Sequence, residues 1–218
     1  MMKYKYLLFD LDGTVSESAE GIRRSLEYAI ETLGAPMPDL DDYTRYIGPP
    51  LIDTFLNLVG LDPETAEQGA ELYRSYYSRH GKYLNRVYAG IPELLRQLRA
   101  AGARLAVCTS KYEPFAKEII GIIGVGDCFD AVCGSNLDGS RKDKKDLIPY
   151  AVRTLGGDLE RDRSEVVMLG DTWYDAQGAR LCNVDFIGTT YGYGAVDAMR
   201  EQGAEVFAAA PEELSDLL

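Results

Sequence analysis

Phe9-Asp10-Leu11-Asp12-Gly13-Thr14 closes the first apolar run of the chain, Tyr6 to Phe9. A strand that stops at Phe9 presents Asp10 and Asp12 together at its C-terminal edge. In open α/β sheets that edge is where ligands bind. Two carboxylates held so close repel, and a bound cation or a shared proton is the usual remedy. The stretch therefore reads as a catalytic carboxylate pair beside a metal.

Outward from it, further short apolar runs end in polar or glycine-bearing loops: Leu105–Cys108, Ala131–Cys133, Val166–Leu169 and Phe186–Ile187, with a weaker one at Val206–Phe207. They read as buried strands. Between them lie helical patterns over Ile91–Ala101, Glu113–Ile123 and Lys145–Leu155. Strands alternating with helices predict an α/β fold, a parallel sheet with helices on both faces. From Ser16 to Val87 the alternation stops. Glu20–Leu33, Pro50–Val59 and Glu64–Tyr83 carry apolar residues at helical spacing, and no convincing strand appears. This region is expected to be a helical insert.

Three other places fit the opening pair. Val107-Cys108-Thr109-Ser110-Lys111 ends the second strand with hydroxyls that suit a phosphate oxygen, although Thr and Ser are also common caps. Lys144, before a helix, would balance a nucleophilic carboxylate and a transferring phosphoryl group. Its neighbours Arg141, Lys142 and Lys145 read as solvated surface. Gly170-Asp171-Thr172-Trp173-Tyr174-Asp175 brings two more carboxylates to the end of a strand. Mg²⁺ takes oxygen ligands and keeps waters. Asp10, the Asp12 backbone carbonyl and Asp171 would supply three, with Asp175 acting through water. A turn with a helix cap is the plainer account of Gly-Asp-x-x-x-Asp taken alone. All these features on one edge of one sheet are hard to attribute to turns.

In these motifs the chain resembles haloacid dehalogenase (HAD) superfamily phosphatases, and within them the phosphoglycolate phosphatase-like group with a helical C1-type cap. Softer signatures extend the likeness: Tyr46-Ile47-Gly48-Pro49-Pro50-Leu51, Gly134-Ser135-Asn136-Leu137-Asp138-Gly139 and Tyr191-Gly192-Tyr193-Gly194. The resemblance implies a Rossmann-like sheet in the order 5-4-1-2-3, core strands numbered along the chain. The core would span residues 1–15 and 88–218, and the cap residues 16–87. It implies Asp10 as nucleophile, forming an aspartyl-phosphate, and Asp12 as acid and then base. Thr109 and Ser110 would hold the phosphoryl group, Lys144 would stabilise its charge, and Mg²⁺ would be the cofactor. Asp12 separates the chain from the dehalogenase branch, which does not keep a second acid. Two positions depart from the usual pattern: Glu17-Ser18 stands where Asp-Ser is frequent, and Trp173-Tyr174 is a bulky pair.

Composition limits the alternatives. The chain has 218 residues and a formal net charge of -12, which disfavours nucleic acid and anionic membrane surfaces as partners. Its 4 cysteines, Cys108, Cys128, Cys133 and Cys182, form no C-x-x-C pair or zinc-ligand spacing. No segment approaches membrane-spanning length. The expectation is a cytoplasmic phosphatase, monomer or homodimer, acting on a small phosphorylated metabolite. Phosphoglycolate, a nucleoside monophosphate, pyrophosphate and a sugar phosphate are all open as substrates. A phosphomutase of the same build and an idle binding protein are the rival readings. Arg45, ahead of the Gly48-Pro49-Pro50 turn, is a candidate for a substrate carboxylate or second phosphate, against the plainer reading of a surface ion pair. His80 reads as a surface residue at a helix end. Tyr73, Tyr76 and Tyr77 read as packing of the insert.

Overall fold

The Tyr6–Phe9 run forms strand β1, and all four residues are buried. Its alternate side chains serve two cores, as a pleated strand requires. Leu7 and Phe9 join one apolar cluster, and Tyr6 and Leu8 join another on the opposite face. The computed structural model describes residues 3–138, 140–141 and 143–218. Gly139 and Lys142, named above, lie outside the described residues.

After β1 the chain makes a short strand β2 (Ser16–Glu17) and helix α1 (Ala19–Leu33). Helix α2 (Leu51–Asp53) passes into a π-helical turn over Thr54–Val59. Helix α3 (Pro63–Arg79) starts on a strong local signal. Asp62 accepts hydrogen bonds from the Glu64 and Thr65 amides, and Pro63 takes the first helical position, where no amide is needed. Strand β3 (Arg86–Val87) then pairs antiparallel with β2. The insert thus enters and leaves through a two-stranded ribbon. This corrects the expectation of no strand between Ser16 and Val87. Two-residue strands show no periodicity, so sequence patterning cannot reveal them.

The remaining elements alternate: α4 (Ile91–Ala100), β4 (Arg104–Tyr112), α5 (Glu113–Ile122), β5 (Ala131–Ser135), α6 (Lys144–Thr154), α7 (Leu159–Asp162), β6 (Val166–Gly170), α8 (Trp173–Cys182), β7 (Asp185–Thr189), α9 (Val196–Glu201), β8 (Val206–Ala208) and α10 (Leu214–Leu217). The main sheet has six strands in the order β5-β4-β1-β6-β7-β8, and every pair is parallel. Leaving out the ribbon, this is the expected five-strand order with the weak sixth strand added at the edge.

Register positions the site. Phe9 stands level with Val107 of β4 and with Leu169 of β6. Asp10, Cys108-Thr109 and Gly170-Asp171 therefore leave the sheet side by side. The insert closes over this edge. Its Leu26, Ile30, Phe55, Ala70 and Tyr77 belong to the same apolar cluster as Leu7, Phe9, Leu105 and Leu169. The opposite face is covered by α6 through Leu147, Ile148, Ala151 and Val152. No described helix is long and apolar enough to cross a membrane.

Candidate active site

Asp10 is 5% exposed, and its Oδ1 lies 2.8 Å from the Lys144 ammonium. Lys144 opens α6 and is buried. Its Nζ also lies 2.5 Å from Asp175 Oδ1 and donates to the Cys108 carbonyl at 2.7 Å. Burial by itself would lower the lysine's pKa, but the Asp10 and Asp175 carboxylates outweigh it and hold the ammonium above its ordinary value. The nucleophile candidate and the cation candidate are therefore in contact.

Asp171 follows β6 and is fully buried. Its Oδ2 accepts the Tyr193 amide at 2.8 Å, and its Oδ1 accepts the Thr14 hydroxyl at 3.2 Å. Burial, then the Asp175 and Asp10 carboxylates, push its carboxyl well above the usual carboxylate range. Asp175 does two things. Its Oδ2 accepts the Thr172 amide and hydroxyl, at 3.1 and 2.7 Å, capping α8. Its Oδ1 faces Lys144. Asp175 thus caps the helix, the plainer account of Gly-Asp-x-x-x-Asp, and also lies against the Lys144 ammonium.

Asp10, Asp171 and Asp175 each offer an oxygen within 4.8 Å of the others. Asp10 Oδ1 and Asp175 Oδ1 are buried and have no hydrogen-bond donor beyond the ammonium they face. With Asp12 and Lys111 included, four carboxylates meet two ammonium groups. The excess negative charge, buried and made of oxygen ligands, fits a hard divalent cation. Gly13 (φ 83°) turns the chain just here, and a Cβ on it would collide with the Asp171 carboxylate.

A cavity of about 320 Å³ opens on Asp10 and Asp12, between the sheet edge and the insert. Thr109, Ser110 and Lys111 line its floor. Thr109 is 2% exposed, and its Oγ1 accepts the Lys111 amide at 3.2 Å. The walls are apolar and aromatic: Ile22, Leu26, Tyr46, Leu51, Tyr73, Tyr77 and Phe115. Tyr73 and Tyr77 thus pack the insert, as expected, and also face the cavity.

Several residues stand apart from the expectations. Arg45 ends a short 3-10 turn and is exposed, while its neighbours Tyr46, Ile47 and Gly48 line the cavity. Arg141 is not simple solvated surface. It is half-buried over the Tyr150 ring, 4.0 Å from the centroid, and bonds Asn136 Oδ1 at 2.6 Å. Lys145 is exposed, as expected. His80 lies exposed at the end of α3 against Tyr76. Trp173 and Tyr174 stack on each other at 3.7 Å and do not line the cavity. Sequence reasoning missed Lys111, whose Nζ lies 2.8 Å from Asp12 Oδ2. It also missed the part played by the Tyr191-to-Gly194 segment. Tyr193 gives Asp171 its amide, and its hydroxyl accepts the Ser18 and Ala19 amides at 2.7 and 3.1 Å. The tyrosine-glycine repeat was the available signal: Cβ atoms on Gly192 or Gly194 would clash with Asp171.

Comparison with known proteins agrees with this geometry. The family described as haloacid dehalogenase-like hydrolase matches residues 7–189. The chain is 40% identical to a 5'-nucleotidase of Pseudomonas aeruginosa, covering 91% of this chain and 88% of that protein. It is 39% identical to the tyrosine-protein kinase PtkA of Mycobacterium tuberculosis, over 97% of this chain and 72% of that one. The crystal structure of a predicted phosphatase from Clostridium acetobutylicum superposes with a TM-score of 0.91 at 37% identity, covering 99% of this chain and 98% of the other. Proteins named phosphoglycolate phosphatase also match. Motifs, fold and relatives agree that this chain belongs to the haloacid dehalogenase-like hydrolases.

Proposed function

We propose that the chain is a Mg²⁺-dependent phosphatase that hydrolyses a small phosphate monoester through an aspartyl-phosphate on Asp10. The carrying observation is that Asp10, buried and paired with Lys144, lines a cavity that a second acid, Asp12, also lines. The nucleotidase and phosphatase relatives support the same chemistry. Residues 16–87 serve as the cap that closes the cavity and excludes water.

In the first step Asp10 attacks phosphorus and forms an oxygen–phosphorus bond. The bond to the leaving oxygen breaks, and Asp12 gives its proton to that oxygen, releasing an alcohol. Thr109 and the Ser110 amide hold the phosphoryl oxygens, and Lys144 balances their charge. In the second step Asp12 takes a proton from water. The water oxygen bonds phosphorus, the bond to Asp10 breaks, and phosphate leaves. Asp10, Asp171 and the Asp12 carbonyl would hold Mg²⁺, with Asp175 behind them. Bound there, the ion neutralises charge and orients the phosphoryl group.

Phosphate release from a panel of monoesters, with Mg²⁺ and then with chelator, tests this reading. Metal-dependent release without any bisphosphate is expected. Transfer to a sugar with no net release would make the chain a phosphomutase. Inactivity across the panel would leave a binding protein.

A further inference from the structure

Lys111 has no part in the steps above, yet it lines the cavity. Its side chain is 9% exposed. Its Nζ lies 2.8 Å from Asp12 Oδ2 and 4.6 Å from the centre of the Tyr77 ring, which α3 carries. Among the described residues no other polar side chain holds the Asp12 carboxylate, and Asp12 Oδ1 is buried without a partner. Lys111 is itself anchored, because its amide donates to Thr109 Oγ1 at 3.2 Å. Tyr77 is anchored too. Its hydroxyl accepts Asn85 Nδ2 at 3.1 Å, and Asn85 Oδ1 accepts the Ser16 hydroxyl at 3.3 Å.

We propose that Lys111 is a positioning residue for the acid step, holding Asp12 turned into the cavity beneath Tyr77. The proposal rests on the reading of Asp12 as the acid. A general acid works only within hydrogen-bond reach of the leaving oxygen. An unrestrained carboxylate on a loop would spend most of its time elsewhere. The Lys111 ammonium takes Oδ2, to which it can donate whether Asp12 is ionised or protonated, and leaves Oδ1 for the transferable proton. The cation–π contact with Tyr77 ties that placement to the seated insert.

The test uses two substrates of similar shape. Phenyl phosphate needs its leaving oxygen protonated, whereas 4-nitrophenyl phosphate has a leaving group that departs with little help. Lys111→Met is compared with Asp12→Asn and the wild type by kcat/KM. Lys111→Met is expected to lose roughly tenfold to a hundredfold more on phenyl phosphate than on 4-nitrophenyl phosphate. Asp12→Asn is expected to show the same bias, more strongly. Lys111→Arg, which keeps the cation, recovers part of it, and Tyr77→Leu shows a weaker form. If Lys111→Met does not fold, Lys111→Gln carries the same comparison. Equal losses on both substrates, with the bias present in Asp12→Asn, would overturn the role of Lys111 and leave the phosphatase reading standing. No bias in Asp12→Asn would overturn the acid assignment beneath it.

Discussion

Lys144 lies between Asp10 and Asp175 with its ammonium enclosed, so its charge has no solvent to fall back on. Removing one partner of a buried ion pair leaves the other uncompensated. Lys144→Met is therefore expected to cost about 3 kcal/mol of stability without divalent metal, measured by urea unfolding. Added Mg²⁺ should recover part of that loss. Phosphate release should fall by roughly a hundredfold or more, because Lys144 is the side-chain cation in contact with the nucleophile. At this scale the sequence was most legible where chemistry is local. Asp10, Asp12, Asp171 and Asp175 sit at strand ends that their own apolar runs announce. Lys111 was illegible as a partner. Its role depends on Asp12 and Tyr77, which the fold brings together from distant parts of the chain.

Helices α6 and α8 carry Lys144 and Asp175, and their spacing sets the contact between these two residues. Gly178 of α8 sits against Lys144, and a Cβ there would collide with the lysine's own Cβ. Gly178→Ala is expected to push the helices apart, destabilising by about 1–3 kcal/mol in thermal or urea unfolding. It should also lower turnover without touching substrate. Another tie joins the entry to β1 with the start of β7. Asp185 Oδ2 accepts from Lys3 Nζ at 2.9 Å and from the Tyr4 hydroxyl at 2.7 Å. These bonds hold the Asp185 carboxyl below its ordinary value, so they stabilise the fold above the unfolded carboxylate's pKa. The contribution is lost as pH falls through the lowered folded value. The pair is half-exposed, so Asp185→Asn should cost only about 0.5 kcal/mol at neutral pH. The difference between the two urea midpoints should vanish on acidification. Strands and long helices were readable because burial on both faces leaves continuous apolar runs and amphipathic helices leave a period. The β2–β3 ribbon was not, and neither was the π-helical turn after Asp53, because both arise from how the insert is tethered and packed.

Over the whole molecule, one apolar cluster runs from the sheet through the insert, so the cavity is closed by the same packing that stabilises the fold. The buried excess of acids beneath it works against that stability until a cation binds. Mg²⁺ is therefore expected to raise the melting temperature, by up to about 2.7 kcal/mol of stability at a hundredfold excess over Kd. Chelator should reverse the shift, and Asp171→Asn should remove most of it. The parallel sheet could be read from the alternation of elements, and its strand order only from the family likeness. The lining of the cavity could not, because Tyr46, Tyr73 and Tyr77 reach it only through the way the insert folds back. On the proposed mechanism, phosphoryl transfer begins at Asp10. Phosphate release by Asp10→Asn, measured beside the wild type on phenyl phosphate with Mg²⁺, tests it most directly. The expected loss is at least about a thousandfold; release at the wild-type rate would mean that another group is the nucleophile.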